Sequence, residues 1–140
     1  MPDLPLTGHC LCGGVRFEIS APLGPARYCH CTRCQRRTGT ASSAQAVLAP
    51  GSLRILEGDA LVKAFTPPGG GFLKMFCSEC GSALFSQSPD DPDVMSVRLG
   101  VIDGDPGVRP EMRQFTAYAA VWEPIPADDP LTAYAERRPA

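Results

Sequence analysis

Two short stretches of the sequence, GHCLCGG at 8–14 and FCSECGS at 76–82, each carry a pair of closely spaced cysteines. Cys10 and Cys12 are two residues apart, so on an extended segment both side chains point to the same face. Cys77 and Cys80 enclose a tight turn, and the glycine that follows them permits an unusual backbone conformation. Two such pairs supply four thiolates, which is a ligand set of structural zinc. The sequence therefore predicts a zinc site that stabilises the fold directly.

A third stretch, CHCTRC at 29–34, holds the other three of the seven cysteines. Cys29, Cys31 and Cys34 offer three thiolates and no fourth sulfur. Three protein ligands with one open position distinguish catalytic zinc from structural zinc. We therefore predict a second zinc ion at this triplet and assign the three cysteines as catalytic residues. His30 lies between two of them and is expected to face away from the ion on an extended chain.

Three arginines follow the triplet closely, at Arg33, Arg36 and Arg37. The residues TRCQ at 32–35 match a capping box, which predicts a short helix that starts at residue 32 and ends near Gly39. Guanidinium groups suit carboxylates, so the arginines are predicted to bind an anionic substrate. The alternative is that they only balance the thiolate charge or remain solvated.

Other classes of protein fit the composition poorly. An odd number of cysteines and the absence of a secretion signal oppose a disulfide framework. A net charge of −2 and a pI of 5.6 provide no basic field for nucleic acid or an anionic membrane. No apolar run approaches the roughly 18 residues of a membrane span. We expect a cytoplasmic protein with neither nucleic-acid nor membrane partners, and its oligomeric state is left open.

The rest of the chain predicts an all-β fold. Its 140 residues, 44% of them hydrophobic, suit one domain with a real core. Glycine (14) and proline (15) are spread from end to end, which favours short strands and turns over a helical bundle. Packed sheets are expected, with a frayed stretch over 128–140. Strands are predicted at 15–19, 26–31, 44–49, 60–65, 72–76, 83–86, 94–99 and 114–122.

The three cysteine motifs, in this order, resemble those of a known family. G-x-C-x-C-G at 8–13, C-H-C-x-x-C at 29–34 and F-C-x-x-C-G at 76–81 are similar to the motifs of the glutathione-dependent formaldehyde-activating enzymes, shared with centromere protein V. The likeness covers about 8–122 of a single domain spanning 1–140. At 112–114 this chain has Met-Arg-Gln, where members often carry a histidine.

The resemblance implies a tent of packed, short-stranded antiparallel sheets with two zinc sites. Cys10, Cys12, Cys77 and Cys80 would hold the structural ion, and the triplet would hold an exchangeable one. The implied reaction joins glutathione to formaldehyde as S-hydroxymethylglutathione, a reaction classed with the carbon–sulfur lyases. Glutathione or another small thiol is then the expected partner.

Two other functions are compatible with the same residues. The first is a zinc-stabilised interaction module without chemistry, in which the triplet is a vestigial or labile site. The second is a thiol redox or metal sensor, in which clustered thiols of low pKa lose zinc on oxidation.

Overall fold

A computed structural model describes residues 2–139 of the chain. Within this range the chain forms eleven strands and one α-helix, α1 (Thr32–Thr38). Three short 3-10 helices cover Asp59–Leu61, Leu99–Val101 and Thr116–Tyr118. The strands are β1 (Leu6–His9), β2 (Arg16–Ile19), β3 (Ala26–Cys29), β4 (Ser43–Leu48), β5 (Leu53–Glu57), β6 (Val62–Phe65), β7 (Leu73–Cys77), β8 (Ala83–Gln87), β9 (Met95–Arg98), β10 (Pro110–Gln114) and β11 (Thr132–Ala133).

The strands form two sheets. The small sheet has the order β1-β2-β5 and is antiparallel throughout. The large sheet has the order β11-β10-β3-β4-β9-β8-β7-β6. Its pairings are antiparallel from β3 to β6, but β10 pairs in parallel with both β3 and β11. The predicted all-β architecture is confirmed, with a parallel margin in a sheet that was expected to be antiparallel.

The core lies between the two sheets, where apolar side chains from alternate strand positions meet. Phe17 of the small sheet and Phe85 of the large sheet are each 1% exposed. Their rings pack edge to face, with centroids 5.1 Å apart. Ala46 and Val97 are register partners on the same inner face of the large sheet, and both are fully buried. Residues next to them in the chain must point to the opposite face.

The sequence located most elements and misplaced the end of the fold. Seven of the eight predicted strands are confirmed within a few residues, whereas β1, β5, β10 and β11 were not predicted. The strand predicted at 114–122 is wrong. Phe115 has a left-handed backbone (φ 58°), which ends β10, and a 3-10 helix follows.

The expected fraying over 128–140 is wrong for the described part, 128–139, and residue 140 lies outside the described residues. β11 adds to the margin of the large sheet, and Arg113 binds Asp129 through two hydrogen bonds of 2.9 and 3.2 Å. As for membrane insertion, none of the helices described here has the length and apolar character that a span would need.

Gly58 allows the turn after β5 to approach the loop after Cys12. It has φ 78°, and a Cβ at this position would collide with the carbonyl oxygen of Gly14. Gly51 has a similar φ of 73° but has no neighbouring atom within 4 Å of that position. The two glycines therefore share a left-handed backbone and differ in steric contact.

We expect Gly58→Ala to destabilise the protein by about 3 kcal/mol or more, because it adds a backbone collision to the left-handed strain. Gly51→Ala should cost only about 1 kcal/mol, from the strain alone. Urea unfolding of the zinc-loaded proteins measures both values. Equal unfolding midpoints for the two variants would show that the close contact between Gly58 and Gly14 does not limit the side chain at position 58.

Candidate metal centres and the adjoining cavity

The four-cysteine cluster joins one turn from each sheet. Cys10 and Cys12 lie in the turn between β1 and β2, whereas Cys77 ends β7 and Cys80 lies in the turn from β7 to β8. Their four sulfur atoms lie within 4.8 Å of one another. The Sγ atoms of Cys10 and Cys12 are 3.5 Å apart, and those of Cys12 and Cys77 are 3.9 Å apart. Tetrahedral zinc with bonds of about 2.3 Å places sulfurs about 3.8 Å apart, so the set fits this ion.

Hydrogen-bond donors around this cluster favour thiolates. The backbone N–H of Val15 donates to the sulfur of Cys10 at 3.3 Å, and that of Gly14 donates to Cys12 at 3.4 Å. The side-chain hydroxyl of Ser82 lies 3.2 Å from the sulfur of Cys80 and holds the pKa of that thiol at about 5. Zinc binds cysteines as thiolates. These donors stabilise the thiolate form and so would favour binding of zinc at the cluster.

The three-cysteine cluster is built where β3 leads into α1. Cys29 ends the strand, and its sulfur lies within 4.8 Å of those of Cys31 and Cys34. The predicted helix is confirmed, but the predicted capping box is wrong. Cys31 is the N-cap, and its sulfur accepts the backbone N–H of Cys34 at 3.2 Å. Gln35 instead donates to the carbonyl oxygen of His30 at 2.8 Å.

Hydrogen bonds within the cluster favour a thiolate at Cys34. Side-chain hydrogen bonds from Cys29 and Cys31 lower the pKa of Cys34, whereas those from Cys31 and Cys34 raise the pKa of Cys29. The first thiolate of the cluster therefore forms at Cys34. Within residues 2–139, no fourth cysteine, histidine or carboxylate joins the group. A metal ion held here would keep an open coordination position.

His30 belongs to a different set of contacts. It is 3% exposed, and its Nε2 accepts a hydrogen bond from Arg113 at 3.2 Å. Burial, followed by the positive charge of Arg113, lowers the pKa of this imidazole. His30 thus links the triplet to β10 and is absent from the metal-ligand group.

A cavity of about 690 Å³ opens beside the three-cysteine cluster, a volume in the usual range for small-ligand sites. All three cysteines line it. Its floor is the outer face of the large sheet, where Arg27 pairs in register with Gln45, and Gln45 pairs with Arg98. The other lining residues are Thr32, Arg33, Gly71, Phe72, Lys74, Ser86, Ser96, Gln114, Phe115, Tyr118, Arg137, Arg138 and Pro139.

The cavity is strongly cationic. Arg98, below the floor, is 8% exposed and donates from Nη1 to Oε1 of Gln45 at 2.6 Å. Its Nε and that of Arg27 are buried without a hydrogen-bond partner in the described structure. Burial lowers the pKa of Lys74 as well as those of both arginines. No aspartate or glutamate stands among the described lining residues, so an anionic ligand would find charge complementarity here.

The structure places the three predicted arginines differently. Arg33 lines the cavity and donates from Nη2 to the carbonyl oxygen of Gly70 at 2.6 Å. Arg36 is exposed and Arg37 is half-buried, and neither is part of the lining. The guanidinium of Arg37 lies over the ring of Phe76, 5.4 Å from its centroid.

Sequence reasoning missed two cationic residues of the floor, Arg27 and Lys74. It also missed Arg98, which hydrogen-bonds to the lining residue Gln45. A signal was present, because polar side chains alternate with apolar ones on neighbouring strands, as in Ser96-Val97-Arg98. Such alternation normally indicates a solvent-facing surface. Here α1 and the end of the chain cover that surface.

Comparison with known proteins identifies the family of this chain. The family described as glutathione-dependent formaldehyde-activating enzyme matches residues 5–118. The chain belongs to this family. A Halomonas elongata protein, named provisionally as a glutathione-dependent formaldehyde-activating enzyme, is 30% identical over an alignment of 108 residues. The match covers 71% of this chain and 67% of the relative. The crystal structure of a Rhodobacter sphaeroides protein is similar with a TM-score of 0.59 and 26% identity, covering 74% of this chain and 91% of that one.

For this formaldehyde-activating family member, we expect about two zinc ions per chain after purification without added metal or chelator. Cys34→Ser should leave about one ion and a folded protein. Cys77→Ser should remove the other ion and lower the thermal midpoint by about 10 °C or more, because that ion joins the two sheets. Native mass spectrometry counts the ions, and thermal unfolding reports the stability. A single ion that is retained when the triplet is substituted would contradict a metal site at the triplet.

Proposed function

We propose that this protein is a zinc-dependent enzyme that joins a small anionic thiol to an aldehyde at Cys29, Cys31 and Cys34. Glutathione and formaldehyde are the first candidates, and the reaction is of the carbon–sulfur lyase type. The observation that carries the proposal is the position of the three-thiol cluster, which opens into a cationic cavity. The family to which the chain belongs is named for formaldehyde activation with glutathione, which supports the same choice.

The proposed reaction needs no oxidant or reductant. A sulfur–carbon bond forms between the thiol and the carbonyl carbon, the carbon–oxygen double bond becomes single, and the thiol proton ends on that oxygen. A zinc ion at the triplet would supply acidification of a thiol and polarisation of a carbonyl. The protein's own contribution is to hold the two reactants beside each other.

Charged side chains around the cavity would orient the thiol substrate. We assign Arg33 and Lys74 to one of its carboxylates, because both line the same cavity as the triplet. We propose that Arg36 and Arg37, on the same helix as Arg33, act at longer range. Their charges raise the positive potential around the cavity. The Arg98–Gln45 hydrogen bond keeps the floor of the site in one arrangement.

The other cluster would serve the fold. We propose that Cys10, Cys12, Cys77 and Cys80 hold one zinc ion that does not meet substrate, since these residues do not line the cavity. All seven cysteines are free thiols. This state favours a reducing compartment, and we propose a cytoplasmic location.

The two alternative functions explain less of the structure. A non-catalytic interaction module needs the four-cysteine cluster but has no use for a cavity with buried guanidinium groups. A redox or metal sensor uses the three-cysteine cluster and leaves the cationic lining without a role.

The test is glutathione-dependent consumption of formaldehyde by the zinc-loaded protein, measured against the same mixture without protein. Cys34→Ser should lower the rate by about 100-fold or more, since it removes a metal ligand. Lys74→Met should raise KM for glutathione about tenfold and change kcat little, because it removes one charge contact to bound substrate.

Arg54→Ala is the matched control, because this exposed arginine belongs to the small sheet, away from the cavity. Its kinetics should equal those of the unsubstituted protein. No acceleration by protein that carries two zinc ions would refute the enzymatic proposal. Loss of one zinc under mild peroxide without turnover would instead favour the sensor.

A further inference from the structure

The end of the chain lies outside the residues that match the family, yet it forms one wall of the cavity. The match ends at residue 118, whereas Arg137, Arg138 and Pro139 are lining residues. This chain therefore adds cationic groups to the site that the family pattern does not account for. The question is what these groups recognise.

Several contacts fix the last residues against the large sheet. The backbone N–H groups of Phe115 and Thr116 donate to the carbonyl oxygens of Glu136 and Tyr134, at 2.9 and 3.0 Å. The backbone N–H of Arg138 donates to Oε1 of Gln114 at 3.5 Å. Gln114 is 8% exposed and is the register partner of Cys29. Arg138 is thereby held next to the strand that carries the first cysteine of the triplet.

Arg138 shares the cavity with another positive charge, that of Arg27, since both residues line it. The Nε of Arg27 has no hydrogen-bond partner among the described residues. The nearby Glu136 accepts a hydrogen bond from the hydroxyl of Tyr118 at 3.0 Å and is not part of the lining. Two cations that line one cavity without an acid are stabilised by an anion between them.

Arg27 also lies close to the triplet. Arg27 and Cys29 lie two residues apart on β3 and line the same cavity. Two residues of a strand span about 7 Å. One small molecule can therefore place a carboxylate at Arg27 while its sulfur lies at the triplet.

We propose that Arg27 and Arg138 together bind one carboxylate of the thiol substrate, and that the segment 132–139 selects carboxylate-bearing thiols over neutral ones. The identity of the ligand as a thiol rests on the proposed function, whereas the carboxylate subsite rests on the two arginines. The planar guanidinium groups offer paired N–H donors that match the geometry of a carboxylate.

The test is calorimetric binding of S-methylglutathione to the zinc-loaded full chain, compared with the diethyl ester of the same compound. The methylated sulfur keeps the measurement independent of turnover, and the ester lacks both carboxylates. The unsubstituted protein should bind the acid at least about tenfold more tightly than the ester, and Arg138→Ala should remove about a tenfold share of that preference. Arg138→Lys should restore part of it, and Arg54→Ala should keep it all.

A double-variant cycle tests whether the two arginines act on the same carboxylate. Arg27→Met should lose a similar share, and Arg27→Met with Arg138→Ala should lose little more than either alone. Circular dichroism and thermal unfolding confirm that each variant is folded.

The inference would be overturned by an equal affinity of the unsubstituted protein for the acid and the ester. It would also be overturned if the preference for the acid is unchanged in Arg138→Ala, including the case in which both ligands lose affinity equally. The proposed function is judged separately. A preference that depends on Arg138 in a protein without turnover would support the subsite and refute the enzyme, whereas turnover with an unchanged preference would do the reverse.

Discussion

The convergence of four sulfur atoms within 4.8 Å is the constraint on which the rest of the structure depends. Two of the sulfurs come from the small sheet and two from the large one, so any ion that they bind ties the sheets together at one edge. Phe17 and Phe85 can then pack edge to face in a core built from short strands. A domain with so many strands of four or five residues gains little from any single pairing, and a metal crosslink offsets that weakness.

One face of the large sheet packs in the core, and the charged side chains lie on its other face. Burying guanidinium groups such as that of Arg98 is unfavourable unless they find partners, and Gln45 satisfies only part of this one. The same face receives the three-cysteine cluster from β3 and α1. Hydrogen-bond donors that are buried without partners next to the thiol cluster cost free energy. A bound ligand can offset this cost, which is typical of a functional site.

The sequence predicted features that depend on local spacing. The three-cysteine cluster, each pair of the four-cysteine cluster and α1 follow from residues a few positions apart. That the two pairs meet was predicted from the four thiolates that structural zinc takes. Other features that depend on contacts between distant residues were not predicted. Arg27 and Arg98 occupy strand positions that alternate with buried residues, a pattern that is the same whether solvent or a cavity covers the polar face. The parallel pairing of β10 and the return of the chain at β11 depend on the reversal at Phe115, a residue that seldom adopts positive φ.

The sulfur of Cys31 has two tasks, since it caps α1 and belongs to the triplet. Serine performs the first task well, through its hydroxyl oxygen, but is a poor ligand for a soft metal site. A single codon change at this position would thus remove the proposed second metal site and spare the helix. The four-cysteine cluster has no comparable substitution, because the two sheets meet at it. In this fold the proposed chemistry would therefore be lost in evolution more easily than the scaffold, and descendants could keep the architecture without the reaction.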